Sequence, residues 1–344
     1  MSKKSSSSSK KGLSDPNLED KRTKVTVGNA GLENPRGTYY SGAYTSIGYD
    51  NSFNLQDFKD NFKVKILSEK PYELVFEMSG IDAPIANAFR RIMISEIPTM
   101  AIEKVYIINN TSILQDEVLA HRLGLIPIKV DPRKFNFKLP NKEYTAEDTL
   151  IFQLKVKCEK EDGKIINAEA LSKHLTWMPT EDQEEMFPDV NDQPRPVEGD
   201  IPIMKLRPGQ CIDVQCYCEK NIGREHIKWS PVCTASYRLL PVITVDPSVT
   251  GDKAKELVNK CPKKVFDIED DQVVAARPLD CTMCRECIRE PEFEKTVKLQ
   301  RVRDHFIFSI ESTGALTSRE IFQEALKIFI EKCNIVEESL NKLL

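Results

Sequence analysis

No apolar run in this sequence approaches the ~18 residues that a membrane-spanning helix needs. The N-terminus, Met1-Ser2-Lys3-Lys4 followed by serines, lacks an apolar signal core. An intracellular chain with no membrane role is therefore expected, its ten cysteines reduced. Excess positive charge is also missing: 49 basic residues face 53 acidic ones, a net charge of −4. That balance excludes a protein gripping nucleic acid over a broad basic face. It leaves contact with DNA only indirectly, through partners. A catalytic carboxylate cage is absent as well. Two-metal phosphoryl chemistry needs carboxylates converging on both ions, whereas adjacent Asp116 and Glu117 point about 100° apart on a helix. They read as interface or first-turn charges, the latter favoured by the helix dipole. His226, beside Trp229, has no Ser, Cys or carboxylate at a telling spacing. No flavin or nicotinamide fingerprint is present.

What is present is a globular composition, 40% apolar and 30% charged over 344 residues. That length suggests about two domains. Residues 1–60, rich in Ser, Lys, Asn, Gly and Tyr, read as a mostly disordered tail. Its Lys3, Lys4, Lys10 and Lys11 fit either nuclear import or a solvated end. Order is expected from Phe62, where Phe62, Val64 and Ile66 alternate as a half-buried strand. After a turn at Glu69-Lys70-Pro71, Tyr72, Leu74, Phe76 and Met78 alternate again, completing a hairpin. Asp82 and Pro84 open a helix with an apolar face of Ile85, Ala88, Phe89 and Ile92. A strand near 102–108 follows. Thr111 or Ser112 then caps a helix ending at Leu123, with Gly124 as its stop and Pro127 barring continuation.

From 131 to 297 the pattern becomes strand-rich. Leu150, Phe152, Leu154 and Val156 alternate, as do Ile212, Val214, Cys216 and Cys218. Residues 179–200 form an acidic, proline-bearing loop. An apolar strand returns at 305–311. Thr317-Ser318-Arg319-Glu320 then gives a capping box. It opens a helix of about 25 residues, long against the usual ~11–12. Phe322, Ala325, Phe329, Cys333, Val336, Leu340 and Leu343 form its stripe, with Ile321, Leu326, Ile328, Ile330 and Ile335 beside it. One sheet cannot cover so much apolar surface, so a partner helix is expected. The alternative cover is residues 1–60 folding back.

Cys281, Cys284 and Cys287 form a C-x2-C-x2-C run, and Cys261-Pro262 supplies a Cys-Pro upstream. Four thiolates in this pattern match one 4Fe-4S cluster. Zinc also takes four thiolates, usually from paired C-x2-C knuckles. Inert, empty cysteines are the third reading. A second site from Cys211, Cys216, Cys218 and Cys233 is less apt, because Cys216 and Cys218 continue a core strand face as buried thiols. Cys333 reads as helix packing.

Several stretches carry a family resemblance: Ile85 to Thr99 (IANAFRRIMISEIPT), Asn109 to Pro127 (NNTSILQDEVLAHRLGLIP), Gly223 to Val232 (GREHIKWSPV) and Ile310 to Gly314 with the helix after it. They resemble the alpha-like subunits of cellular RNA polymerases over most of 62–344. Asp82 to Phe89 and the Ser/Lys-rich extension look most like the larger branch shared by polymerases I and III. The resemblance implies an α+β fold. A dimerisation domain is split into 62–130 and 298–344, and a strand-rich domain at 131–297 is inserted between the halves. A ferredoxin-like segment at 258–292 carries Cys261, Cys281, Cys284 and Cys287.

The resemblance also implies a non-catalytic assembly subunit of the nucleus (nucleolus and nucleoplasm), serving transcription of ribosomal RNA precursor, 5S rRNA and tRNA. It would pair with a smaller alpha-like subunit and dock the large catalytic ones. Expected interface residues are Asn87, Phe89, Arg90, Arg91, Asp116, Glu117, His121, Arg122, Phe322, Phe329, Val336 and Leu340. For Arg90 and Arg91 a bidentate contact to the large subunits is implied, where spacing alone suggests a solvated face. The competing function is an iron–sulfur electron-transfer protein.

Overall fold

The computed structural model describes residues 16–35, 52–140, 142–180 and 183–342. The chain forms two compact units, one of residues 1–65, 76–86 and 237–308, the other of 66–75, 87–236 and 309–344. No helix among the described residues is long and apolar enough to cross a membrane.

The long strand Val297–Ser312 pairs with Lys24–Val27, Glu73–Ser79 and Val232–Val245. Leu32–Glu33 and Lys63–Lys70 lie at the two ends of this mixed-order sheet. Phe76 stacks on Phe308 with centroids 5.0 Å apart, and Tyr237 meets Phe306 edge-on at 5.3 Å. A second core gathers Val249, Ala254 and Leu257 around the helix Gly251–Lys260 with Phe266, Phe293 and Leu299.

Two expectations change here. Residues Pro16–Glu33, inside the expected tail, form a helix and two strands. Val25 and Val27 are buried. Lys24–Thr26 pairs antiparallel with Val302–Gln300, so this part of the tail belongs to a sheet. The strand Lys63–Lys70 is exposed throughout rather than half-buried: Val64 is 43% and Ile66 54% exposed. As an edge strand it has alternation but no layer upon it among the described residues. The basic residues Lys3, Lys4, Lys10 and Lys11 lie outside the described residues.

The second unit is built on a four-stranded antiparallel sheet. Its order is Leu175–Met178, Thr149–Lys157, Cys211–Ile222, Pro98–Asn110. The alternation of the sequence becomes its inner face: Leu150, Phe152, Leu154, Val214, Cys216 and Cys218 are all fully buried. Each such side chain contributes about 1.5–3 kcal/mol by leaving water. Leu119 and Leu123 of the helix Asp116–Gly124 close this core.

The helix Ala83–Ser95 buries Ala86, Phe89, Ile92 and Met93, while Ile85 is 37% exposed. Apolar residues flank both stripes, so helical spacing alone admits either face. Neither Thr111 nor Ser112 caps the next helix, which starts at Asp116 after Gln115. Thr111 is spent on the strand, its hydroxyl accepting from the Cys211 amide at 2.8 Å. Gly124 lies inside the helix end, buried. The loop 179–200 holds the short helix Gln183–Met186 and the strand Arg195–Pro196.

Gly223 sits where a side chain does not fit. A Cβ there would stand 2.5 Å from the Ile94 carbonyl oxygen and 3.2 Å from Ser95 Cα. Next to it, the Arg224 amide donates to the Ser95 carbonyl at 2.9 Å. Gly223→Ala should therefore cost about 1–3 kcal/mol through forced backbone displacement. The check is a lowered denaturant midpoint at unchanged slope.

Candidate functional site

The final helix, Ser318–Asn341, begins with the capping box expected from its sequence. The Thr317 side chain accepts from the Glu320 amide, and the Glu320 carboxylate accepts from the Thr317 amide at 2.9 Å. Ion pairs fix the helix further: Arg133 to Glu320 at 3.2 Å, Arg319 to Glu69 at 2.7 Å and Lys332 to Glu96 at 2.7 Å. Exposed pairs like these add little stability each, but they set direction. Ile321 and Ala325 are buried, and Phe322 and Phe329 are half-buried. Beyond them the helix is bare. Residues 330–340 are all exposed, Ile330 and Val336 at 59% each and Leu340 at 54%. The stripe read from the sequence thus runs from core to open surface along one helix. Its last member, Leu343, lies outside the described residues.

The other expected interface residues divide. Phe89 is interior: its ring packs edge-on against Phe322 with centroids 5.4 Å apart. Arg90 donates through Nε and Nη2 to Asn87 Oδ1 at 3.2 and 3.1 Å, so its fork is already engaged within its own helix. Arg122 donates to the backbone carbonyls of Ile203 and Pro202 at 2.7 and 2.6 Å, tying its helix to the strand Pro202–Lys205. Phe89, Arg90 and Arg122 thus each make contacts within the chain. Asp116 accepts from Asn110 Nδ2 at 2.7 Å and, with Glu117, occupies the first helical turn. Arg91, Glu117 and His121 are exposed. His226 accepts from the Lys228 amide at 3.1 Å, a capping role rather than a base.

One feature was missed by pattern reading. Ile94, Thr99, Leu125, Pro127, Ile227, Val232 and Thr313 line a single apolar groove. They come from all four stretches that carry the family resemblance. The available signal was that apolar residues such as Leu125 and Ile227 stand outside any amphipathic stripe; both are exposed.

Cys261, Cys281, Cys284 and Cys287 line one small cavity with Pro262, Phe266 and Leu299. Cys261 follows the helix Gly251–Lys260, and the other three lie on a loop broken by short 3-10 turns. Positive φ at Lys264, Met283 and Arg285 turns the backbone so that amides face sulfur. The Val265 amide donates to Cys261 Sγ at 3.3 Å and the Met283 amide to Cys281 Sγ at 3.4 Å. Burial, then the neighbouring thiols of Cys281, Cys284 and Cys261, push the Cys287 thiol up to about 12. Four convergent sulfurs with amide donors are a donor set suited to a thiolate-bound metal. Among the described residues, however, no three His, Cys, Asp or Glu side chains stand in a metal-holding arrangement. The donor chemistry fits, and the sulfurs are gathered without forming a closed ligand shell. Cys216 and Cys218, by contrast, are buried core thiols, as expected, and burial pushes Cys216 up to about 12.

An α+β chain closed by a long capped helix, exposed over its second half, is the class these features define. Residues 75–333 match the model of the RNA polymerase Rpb3/Rpb11 dimerisation domain, and the chain belongs to that family. It is 84% identical, over 96% of its length and 97% of the relative's, to a Dictyostelium discoideum protein described as DNA-directed RNA polymerases I and III subunit rpac1. A Mus musculus protein described as subunit RPAC1 of the same polymerases is 45% identical over 92% of this chain and 94% of its own. The Dictyostelium polymerase II subunit rpb3 is 34% identical over 80% of this chain and 93% of its own.

In partner-free, metal-stripped protein at pH 8, a pulse of iodoacetamide should modify exposed Cys233, Cys284 and Cys333 first. Cys216 and Cys218 should stay unmodified, since the thiolate is the reactive form and burial suppresses it, and Cys158 should stay unmodified because it is buried out of the reagent's reach. Peptide mass spectrometry reads the order.

Proposed function

We propose that this chain is the larger alpha-like subunit shared by nuclear RNA polymerases I and III, a non-catalytic scaffold. It pairs with a smaller alpha-like subunit through the final helix, and the pair docks the large catalytic subunits. The carrying observation is the final helix, anchored at its capped end and bare from Ile330 onward. Burying such side chains releases about 1.5–3 kcal/mol each, a gain this chain leaves to another. The apolar groove around Leu125 and Ile227 serves a large subunit, with Arg91, Glu117 and His121 as exposed charged or polar contacts. The far greater identity to the polymerase I and III relatives than to the polymerase II one supports the assignment. The chain works in the nucleolus and nucleoplasm, on ribosomal RNA precursor, 5S rRNA and tRNA synthesis. It reaches DNA only through the complex.

The cysteine cluster supports a second element of this reading. Cys261, Cys281, Cys284 and Cys287 would hold a 4Fe-4S cluster, or zinc, as a structural cross-link of the loop 261–287. The two amide-to-sulfur hydrogen bonds support that reading, since the sulfurs of such sites take backbone donors. The electron-transfer alternative has no support among the relatives.

Ile330→Asp with Val336→Asp should lower recovery of the smaller alpha-like subunit more than tenfold in pull-downs, because two charges then sit in an apolar seam. Glu331→Ala, exposed on the same helix, should leave recovery unchanged. Native mass spectrometry of the captured complex names the partners, and finding no polymerase I or III subunits would overturn the assignment. Iron, acid-labile sulfide and zinc analysis of anaerobically purified complex decides the metal; finding none of them removes it.

A further inference from the structure

We propose that the N-terminal hairpin Lys24–Glu33 is a strap that holds the Cys284–Cys287 turn in place, so that access to the four-cysteine cavity depends on whether the strap is docked. The proposal rests on the cysteines forming one site, and holds whether or not that site carries metal.

Three sets of contacts converge. The strap joins the long strand in register, Thr26 opposite Gln300, next to Leu299 of the cavity wall. Val27 is buried in the same core as Met283, Cys287 and Phe293. At the tip of the hairpin, the Asn29 carbonyl accepts from Arg285 Nη1 at 3.2 Å, and Asn29 Nδ2 donates to the Arg289 carbonyl at 3.4 Å. One residue thus grips the cysteine turn both before and after Cys287. The base of the strap is tied as well. Asp20 pairs with Lys298 at 2.7 Å and Lys24 at 2.9 Å, hydrogen bonds that hold its carboxyl down at about 2. Arg303 donates to the Asn34 carbonyl.

Arg285 marks the coupling. It sits at φ +69°, in the left-handed region that costs a non-glycine residue conformational energy. Glycine would relieve that cost; the arginine retains it and supplies the contact to Asn29. Cys284, immediately before it, is the exposed member of the four. The strap itself is slight, with strands of four and two residues. A hairpin that small is marginal by itself, so it opens at lower free energy than the core beneath it.

The experiment uses the full chain in its native complex, reduced and washed with chelator, and pulses it with iodoacetamide. Arg285→Gly should raise alkylation of Cys281 and Cys284 about tenfold, the worth of one charge-assisted hydrogen bond. Asp20→Asn, remote from the cysteines in sequence, should raise the same two rates in the same direction. Hydrogen exchange at the Val25 and Val27 amides should quicken in both variants. Unchanged cysteine rates in Asp20→Asn, or unchanged exchange in the strap, overturn the proposal even where Arg285→Gly loosens its own turn. Metal content is measured on the same complex before chelation. Absence of iron and zinc alongside a strap effect removes the metal reading and leaves the strap.

Discussion

The structure depends on one imbalance: the final helix carries more apolar surface than the described residues cover. The Thr317–Glu320 box and the ion pairs to Arg133, Glu69 and Glu96 fix where the helix starts and which way it runs. Burial of Ile321 and Ala325 fastens its first turns. Past that point the helix has direction but no cover. Helices in proteins gain most of their stability from packing an apolar face rather than from propensity. The far half gets no such packing among the described residues, and the proposed pairing with a partner subunit would supply it.

Local signals were the legible ones. The capping box needs only residues three apart, and the alternations at 150–156 and 212–218 need only a strand with one buried face. Each appears in the fold as written in the sequence. Where two local patterns competed, sequence could not choose. The helix at 83–95 has apolar residues on both candidate stripes, and only the packed core selects Ala86 over Ile85. Val25 and Val27 alternate with Lys24 and Thr26, a true strand signal, but over four residues in polar surroundings it is too short to stand out.

The site residues divide on the same principle. Residue type foretold that Arg90, Arg122 and Phe89 would make strong contacts, but not with what. Arg122 finds carbonyls some eighty positions away in the chain, a distance no spacing rule spans. The cysteine cavity was legible because three of its four members sit in one short run. The groove was not, because its lining is drawn from four separated stretches that only the fold assembles.

The bare half of the final helix has a cellular consequence. A subunit whose apolar seam stays wet until a partner arrives has a stability tied to that partner's abundance, by mass action. Copies made in excess would carry an open adhesive stripe, the kind of surface that chaperones and proteases sort by. On the proposed pairing, the same feature would also hold the two subunits to matched numbers, with surplus chains cleared rather than stored.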